Sequence, residues 1–105
     1  MSAVSAHAHA PSVDAFHRGR FVLVQPRRGH RAGLDAMLLA ACVPDGFCGR
    51  LADLGAGAGA AGLAVASRCP EARIVLVENA PEMLHCARAT LALAENARLA
   101  PRCSV

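Results

Sequence analysis

Apolar runs and helical patterns alternate along this chain, and Gly or Pro residues separate them. The run at Arg20–Pro26, which reads RFVLVQP, predicts a short strand that the final proline ends. An arginine-rich loop punctuated by glycines follows it. Leu34–Val43 then predicts a helix, because its apolar positions recur at helical spacing and Pro44 stops it.

The remaining pattern predicts two further strands and two further helices. Gly49–Gly55 predicts a strand, and Ala58–Cys69 predicts a helix that begins in a glycine-rich turn. Ala72–Asn79 predicts the next strand after Gly49–Gly55, and its continuous apolar run is typical of burial on both faces. Pro81–Ala100 predicts a long helix with proline in its first turn. Strand, helix, strand and helix in this order imply a βαβ unit with parallel pairing, and hence an α/β fold.

Length and composition limit what this unit can be. With 105 residues the chain accommodates one domain, and it is 54% hydrophobic but only 3% aromatic. The apolar content is largely Ala, Leu and Val, which bury little area per side chain, so we expect a modest core. Residues 1–13 read as a disordered tail, and residues 14–105 as the folded unit.

The positive charge is concentrated in one part of the sequence. All eleven basic residues are arginines, and no acid occurs from Phe16 to Leu34. Such a stretch is suited to binding phosphate, which makes RNA a predicted partner, although a solvated surface explains the charge equally well. The arginines predicted to contact RNA are Arg18, Arg20, Arg27 and Arg28.

Other chemical signals are weak. The five cysteines form no Cys-x-x-Cys pair, so we predict no metal site, and free thiols favour a cytoplasmic location. The most apolar window, Leu51–Ala66, contains Asp53 and is shorter than the ~20 residues of a spanning helix. We therefore predict no membrane association.

The glycine-rich turn carries the strongest functional signal. In LADLGAGAGAAG an acid, Asp53, precedes glycines at every second position, and Glu78 ends the next predicted strand. Glycines let the backbone approach a ligand closely, and a carboxylate at a strand end accepts hydrogen bonds from ribose hydroxyls. The arrangement predicts an adenosine-type pocket.

Two cofactor classes fit this pattern. Gly57, Gly59 and Gly62 match the Gly-x-Gly-x-x-Gly fingerprint of dinucleotide binders. Asp53 followed by Gly55, Gly57 and Gly59 instead resembles the first motif of class I S-adenosylmethionine-dependent methyltransferases. An acid beside a pyrophosphate would be repulsive, which favours the methyltransferase interpretation. A NAD-binding fragment stays a minor alternative.

The segment before this turn narrows the resemblance. Arg31–Ala40 reads RAGLDAMLLA, which is similar to the segment preceding the first motif in the tRNA adenine-N6 methyltransferase family that modifies tRNA-Val. The resemblance implies S-adenosylmethionine as cofactor, methyl transfer to an adenine amine, and cofactor contacts from Arg31 and Asp35. The cofactor-binding residues it implies together are Asp53, Gly55, Gly57, Gly59, Glu78, Arg31 and Asp35.

Each of these residues also has a structural explanation. A surface charge is the favoured explanation of Arg31, and Asp35 is equally explained as a partner of its helix dipole. Asp53 is explained as a strand-end residue that caps nearby N–H groups. Glu78 is explained as a surface acid.

The resemblance covers only the first half of the family's domain. The Asp/Asn-Pro-Pro-aromatic motif that holds the target amine in that family does not occur, so no catalytic residue is predicted. The expected fold is a partial Rossmann-like methyltransferase domain, truncated before the later strands. The alternative function is a non-catalytic nucleotide-binding or interaction fragment, and a partner chain that completes the sheet is predicted in either case.

Overall fold

The computed structural model describes residues 10–105, and the first nine residues of the predicted tail lie outside this range. The last residues of that tail belong to a strand, β1 (Ser12–Phe16), which the sequence pattern did not predict. β1 pairs antiparallel with β2 (Phe21–Gln25), with Ser12 opposite Gln25. The turn between the strands has positive φ at His17 and Arg18 as well as at Gly19.

The central elements lie where the sequence places them. They are α1 (Leu34–Ala41), β3 (Gly49–Leu54), α2 (Ala60–Arg68) and β4 (Ala72–Val77). β3 and β4 pair in parallel, with Leu51 opposite Ile74, so the predicted βαβ unit and α/β class are confirmed. α2 begins two residues later than predicted because its cap, Gly59, has φ 106°.

The predicted long helix is wrong in its second half. α3 spans Pro81–Ala92, and the extended backbone of the next residue, Leu93 (ψ 136°), breaks the helix. Two 3₁₀ turns follow, at Ala94–Asn96 and Ala100–Arg102. Asn96 explains the break, because its buried amide binds both the N–H and the C=O of Val22 in β2 at 2.9 and 2.7 Å. A tertiary contact therefore overrides the helical propensity of this segment.

The C-terminal segment extends the sheet. β5 (Cys103–Ser104) pairs in parallel with β4, with Cys103 opposite Ile74, and the sheet order is β3-β4-β5. This strand was not predicted, because two residues carry no periodic signal. β4 is consequently the central strand and β3 an edge strand of the described part of the chain.

The sheet is covered on one face. In β4 the residues Ala72, Ile74 and Leu76 are buried, whereas Arg73, Val75 and Val77 are exposed. The prediction that this strand is buried on both faces is therefore wrong for residues 10–105. The covered face packs against α2, and the core continues to β2, with its largest fully buried side chains at Phe21, Leu23, Leu63, Ile74, Leu76 and Leu99.

The hairpin is held against α3 by buried polar contacts. The Thr90 hydroxyl of α3 accepts a hydrogen bond from the Val24 N–H at 2.9 Å. Asn96, in the turn after α3, accepts one from the Val22 N–H of the same strand. These contacts satisfy backbone groups that β2 exposes on its unpaired side. In residues 10–105 no helix has the length and apolar character that crossing a membrane requires.

Candidate cofactor site

The glycine-rich turn joins β3 to α2 through residues with positive φ. The φ angles of Gly55, Gly57 and Gly59 are 72°, 58° and 106°, in the region that side chains disfavour. The N–H groups of Gly55 and Ala56 both donate to the Val77 carbonyl, at 2.9 and 3.0 Å. These bonds hold the turn against the carboxyl end of β4.

Glu78 faces this turn. Its Oε1 accepts a hydrogen bond from the Gly57 N–H at 2.8 Å, and its Oε2 accepts one from the Ala80 N–H at 3.1 Å. The Gly57 hydrogen bond is the main cause that lowers the pKa of Glu78 below its ordinary value. The acid and the glycine turn therefore meet in one crevice, and the carboxylate stays ionised at neutral pH.

A depression opens where the two parallel strands end. It has a volume of about 280 Å³ and is lined by Gly55, Val77, Glu78 and Asn79. Ligands of open α/β sheets bind outside the carboxyl ends of the strands, which is where this depression lies. The Glu78 carboxylate and the backbone of Gly55 thus line one small concave surface, together with Val77 and Asn79.

Two glycines are required by packing, and the cofactor contact that the resemblance implies for one of them, Gly59, stays a prediction. A Cβ on Gly62 would lie 2.7 Å from Leu76 Cδ2 and 2.8 Å from Ile74 Cγ2, and one on Gly59 would lie 2.8 Å from Leu76 Cδ1. These distances are shorter than van der Waals contact. Gly59 and Gly62 therefore let α2 approach β4 closely.

Asp53 caps α2 from the neighbouring strand. Its Oδ2 accepts a hydrogen bond from the Gly62 N–H at 3.0 Å, which is the structural explanation considered for this residue. Burial raises the pKa of Asp53, the Gly62 hydrogen bond opposes this shift, and the Glu78 charge adds to it. The two acids thus influence each other electrostatically across the turn.

Arg31 is engaged in a different contact from the one predicted. Its guanidinium pairs with Asp14 at 3.0 Å and donates to the Pro26 carbonyl and the Ser12 hydroxyl. Hydrogen bonds from Ser12 and Gln25, followed by the Arg31 charge, lower the pKa of Asp14. Arg31 therefore fixes the loop between β2 and α1, and its role as a cofactor contact stays a prediction.

Asp35 lies in the first turn of α1 and is exposed. Its side chain there suits the positive end of the helix dipole. The contact to the cofactor that the resemblance implies for it also stays a prediction.

Two residues near the turn were not identified from the sequence. If Gly57 carried a Cβ, that atom would lie 3.4 Å from Met83 Cε and 3.6 Å from His30 Cδ2. The His30 charge also contributes to lowering the pKa of Glu78, after four larger causes. His30 belongs to the loop that Arg31 fixes, and no sequence pattern distinguishes it from the other polar residues of that loop.

The arginines predicted to contact RNA form two groups instead of one. Arg18 and Arg20 lie in the hairpin turn before β2, and Arg27 and Arg28 lie after it. The five-residue strand β2, which spans about 17 Å, lies between the two pairs. The second pair shares its loop with His30.

The fold and the glycine turn with its facing acid together define a Rossmann-like unit of the class I methyltransferase type. The sequence profile of the methyltransferase small domain family matches residues 31–101. The chain belongs to this family, whose usual cofactor is S-adenosylmethionine.

A solved structure supports the same assignment. The chain is 51% identical to a predicted O-methyltransferase from Agrobacterium tumefaciens, with a TM-score of 0.62. The match covers 67% of this chain and 34% of that protein, so this chain spans about one third of that protein's length. A comparison with curated protein sequences gives no match.

Proposed function

We propose that this chain provides the S-adenosylmethionine-binding part of a methyltransferase and that the methyl acceptor is an exocyclic adenine amine in tRNA. The observation that carries the cofactor proposal is the 2.8 Å hydrogen bond between Gly57 and Glu78. It places a carboxylate that can accept hydrogen bonds from a ribose beside a turn of glycines and alanines, whose backbone is accessible to an adenosine.

The residues of the turn fit this cofactor. When bound, S-adenosylmethionine supplies a methyl group on a sulfonium. Glu78 would accept hydrogen bonds from the ribose, and Gly55 and Gly57 would contact the ligand through their backbones. Asp53 would orient the turn through Gly62, and Arg31 and Asp35 are the proposed contacts at the methionine end. We assign a catalytic role to none of the described residues, 10–105.

The acceptor proposal rests on the resemblance of Arg31–Ala40 to the tRNA adenine-N6 family and on the arginines beside that segment. Arg27 and Arg28 lie in the same loop as His30, so they are the better placed pair for holding RNA near the cofactor. The name of the Agrobacterium protein supports a second candidate, methyl transfer to a hydroxyl oxygen. A cytoplasmic location is compatible with both proposed methyl acceptors, the adenine amine and the hydroxyl oxygen.

A non-catalytic role in nucleotide binding or assembly is the alternative. It is favoured by the edge position of β3 in the sheet of residues 10–105. In this case a partner chain would complete the sheet.

Calorimetric titration tests the cofactor proposal. We expect the chain to bind S-adenosylhomocysteine and not NAD. Binding of NAD in preference to S-adenosylhomocysteine would overturn the proposal in favour of a dinucleotide fragment, and binding of neither would favour the assembly role.

A salt titration tests the RNA proposal. The logarithm of the binding constant for a tRNA transcript, measured by filter binding, should fall linearly with the logarithm of salt concentration. Replacement of Arg27 and Arg28 by Ala should reduce that slope by about one per lost phosphate contact. An unchanged slope in this variant and in the matched Arg18/Arg20 variant would overturn the role of both pairs.

A further inference from the structure

The turn between β1 and β2 concentrates positive charge at one end of the hairpin. Three exposed arginines meet there with His17, since the guanidinium of Arg98 reaches the turn from the segment after α3 and donates to the Arg20 carbonyl at 3.2 Å. We call this surface the basic turn and define it by His17, Arg18, Arg20 and Arg98. The first three of these residues line a depression of about 260 Å³.

The backbone of this turn does not explain its charged side chains. The Gly19 N–H donates to the Phe16 carbonyl at 3.0 Å, and both residues between them, His17 and Arg18, have positive φ, 53° and 56°. Hairpin turns with positive φ at both central residues favour Asn, Asp and Gly. A His and an Arg therefore occupy these positions against the preference of the backbone, which points to a role for their side chains.

Packing fixes the backbone of the basic turn to the core. The rings of Phe16 and Phe21, which flank the turn, stack with their centroids 5.6 Å apart. The His17 ring lies 6.2 Å from that of Phe21, and Phe21 is fully buried. The backbone that carries the cationic groups is thus ordered before a ligand binds, which lowers the entropic cost of binding.

Acids of the described residues do not balance the charge of the basic turn. The ion pairs within residues 10–105 join Arg31 to Asp14 and Arg68 to Asp45. None of the three arginines of the turn takes part in one, and neither does Glu95, which lies three residues before the last of them. Neighbouring cations create a positive potential that attracts an anion, and a guanidinium binds phosphate through two parallel N–H groups.

The basic turn and the cofactor site lie at opposite ends of the sheet. His17 and Arg68 line one depression of about 230 Å³, and Arg68 is the last residue of α2, which ends beside the amino end of β4. Glu78 follows the carboxyl end of β4, a strand of six residues that spans about 20 Å. An anion on the basic turn is therefore too far from Glu78 to be part of an adenosine bound there.

We propose that the basic turn binds phosphate groups of an RNA backbone, at a second point distant from the cofactor site. This inference rests on the proposed function, because it takes RNA as the methyl acceptor. It adds that the acceptor is long enough to reach both ends of the hairpin. Phosphate contacts of this kind position the RNA without reading its sequence. The basic turn therefore contributes to binding of a tRNA and not to binding of a small hydroxyl acceptor.

Filter binding of a tRNA transcript at several salt concentrations tests the inference. In the double variant Arg18→Asn/Arg20→Gln, the slope of the logarithm of the binding constant against the logarithm of salt concentration should fall by about one per lost phosphate contact. The dissociation constant should rise about tenfold. Arg98→Gln should act in the same direction. Arg88→Gln is the matched control, since Arg88 is exposed in α3 and outside the basic turn, and it should leave the slope unchanged.

Urea denaturation separates lost phosphate contacts from a damaged fold. Asn suits a positive φ better than Arg does, so Arg18→Asn should unfold at the same urea concentration as wild type or at a higher one, while it binds tRNA more weakly. Unchanged tRNA binding in the variants of the basic turn, or an equal loss of slope in Arg88→Gln, would overturn the inference.

Further results keep this inference distinguishable from the proposed function. A slope that falls in the Arg27/Arg28 variant and not in the variants of the basic turn overturns the basic turn alone. Absence of tRNA binding by the wild-type chain overturns RNA as the acceptor, and the basic turn with it. The variants of the basic turn should bind S-adenosylhomocysteine with wild-type affinity, and a loss of that affinity would contradict the placement of the turn away from the cofactor site.

Discussion

The Glu78 carboxylate accepts a hydrogen bond from the Gly57 N–H at 2.8 Å, although 21 residues separate them in the chain. This bond joins the end of β4 to the turn after β3. It fixes the distance between the residue that would hold a ribose and the backbone that would face an adenosine. The other contacts of the site hold either the Glu78 carboxylate or the glycine turn in place.

Glu78→Gln should weaken binding of S-adenosylhomocysteine by about 10–100-fold, because the amide loses the charge and one acceptor oxygen. Isothermal titration calorimetry at pH 7 measures the change. Glu71→Gln is the matched control, since Glu71 is exposed in the loop before β4. An unchanged affinity in Glu78→Gln would show that the acid does not hold the ligand.

Gly62→Ala should lower the free energy of unfolding by about 1–3 kcal/mol, because the added Cβ would lie 2.7 Å from Leu76. Urea denaturation measures this loss. Gly46→Ala is the control, since a Cβ there meets nothing within 4 Å, and it should stay within about 0.5 kcal/mol of wild type. If Gly62→Ala costs no more than the control, α2 does not pack on β4 as closely as described.

Asp53 should make the fold less stable as pH rises. Burial raises its pKa in the folded state, so the native state keeps the proton to a higher pH than the unfolded chain does. The stability contribution of Asp53 is fully present below about pH 4, the pKa of an unfolded Asp, and is lost as pH rises through the folded-state pKa.

Asp53→Asn should remove this decline and keep an acceptor for the Gly62 N–H. Its free energy of unfolding relative to wild type should be higher at pH 7 than at pH 4. Asp53→Ala leaves the Gly62 N–H without its acceptor and should cost about 1 kcal/mol at pH 4 and less at pH 7, because it removes the same titrating group. A wild-type-like pH profile in Asp53→Asn would contradict the assignment.

Arg31→Met and Asp14→Asn should affect the protein alike, because the two side chains form one contact that fixes the loop carrying His30. Each should cost less than about 1 kcal/mol of stability, since the pair is partly exposed. Each should also weaken S-adenosylhomocysteine binding a few-fold by releasing the loop. A much larger loss of affinity in Arg31→Met than in Asp14→Asn would indicate direct contact of Arg31 with the ligand.

The sequence predicts those parts of the site whose signals lie in short stretches of the chain. The glycine spacing after Asp53 predicts a turn with positive φ, and an apolar run ending in Glu78 predicts a carboxylate at the edge of a parallel sheet. Both follow from short-range backbone chemistry. His30 and Met83 have no such signal, because their proximity to Gly57 comes from how a loop and a helix pack.

The sequence by itself determined the βαβ unit, the parallel pairing of its strands and the meeting of the glycine turn with Glu78, since these follow from hydrophobic periodicity and from the topology of a βαβ unit. Only the tertiary structure decided that Arg31 pairs with Asp14, that α3 stops at Ala92 and that the arginine-rich stretch divides between the two ends of the hairpin. It also decided that Arg73, Val75 and Val77 of β4 are exposed in the described residues 10–105. Each of these depends on contacts between segments distant in sequence, such as the bonds of Asn96 to Val22, whose energies outweigh local propensity.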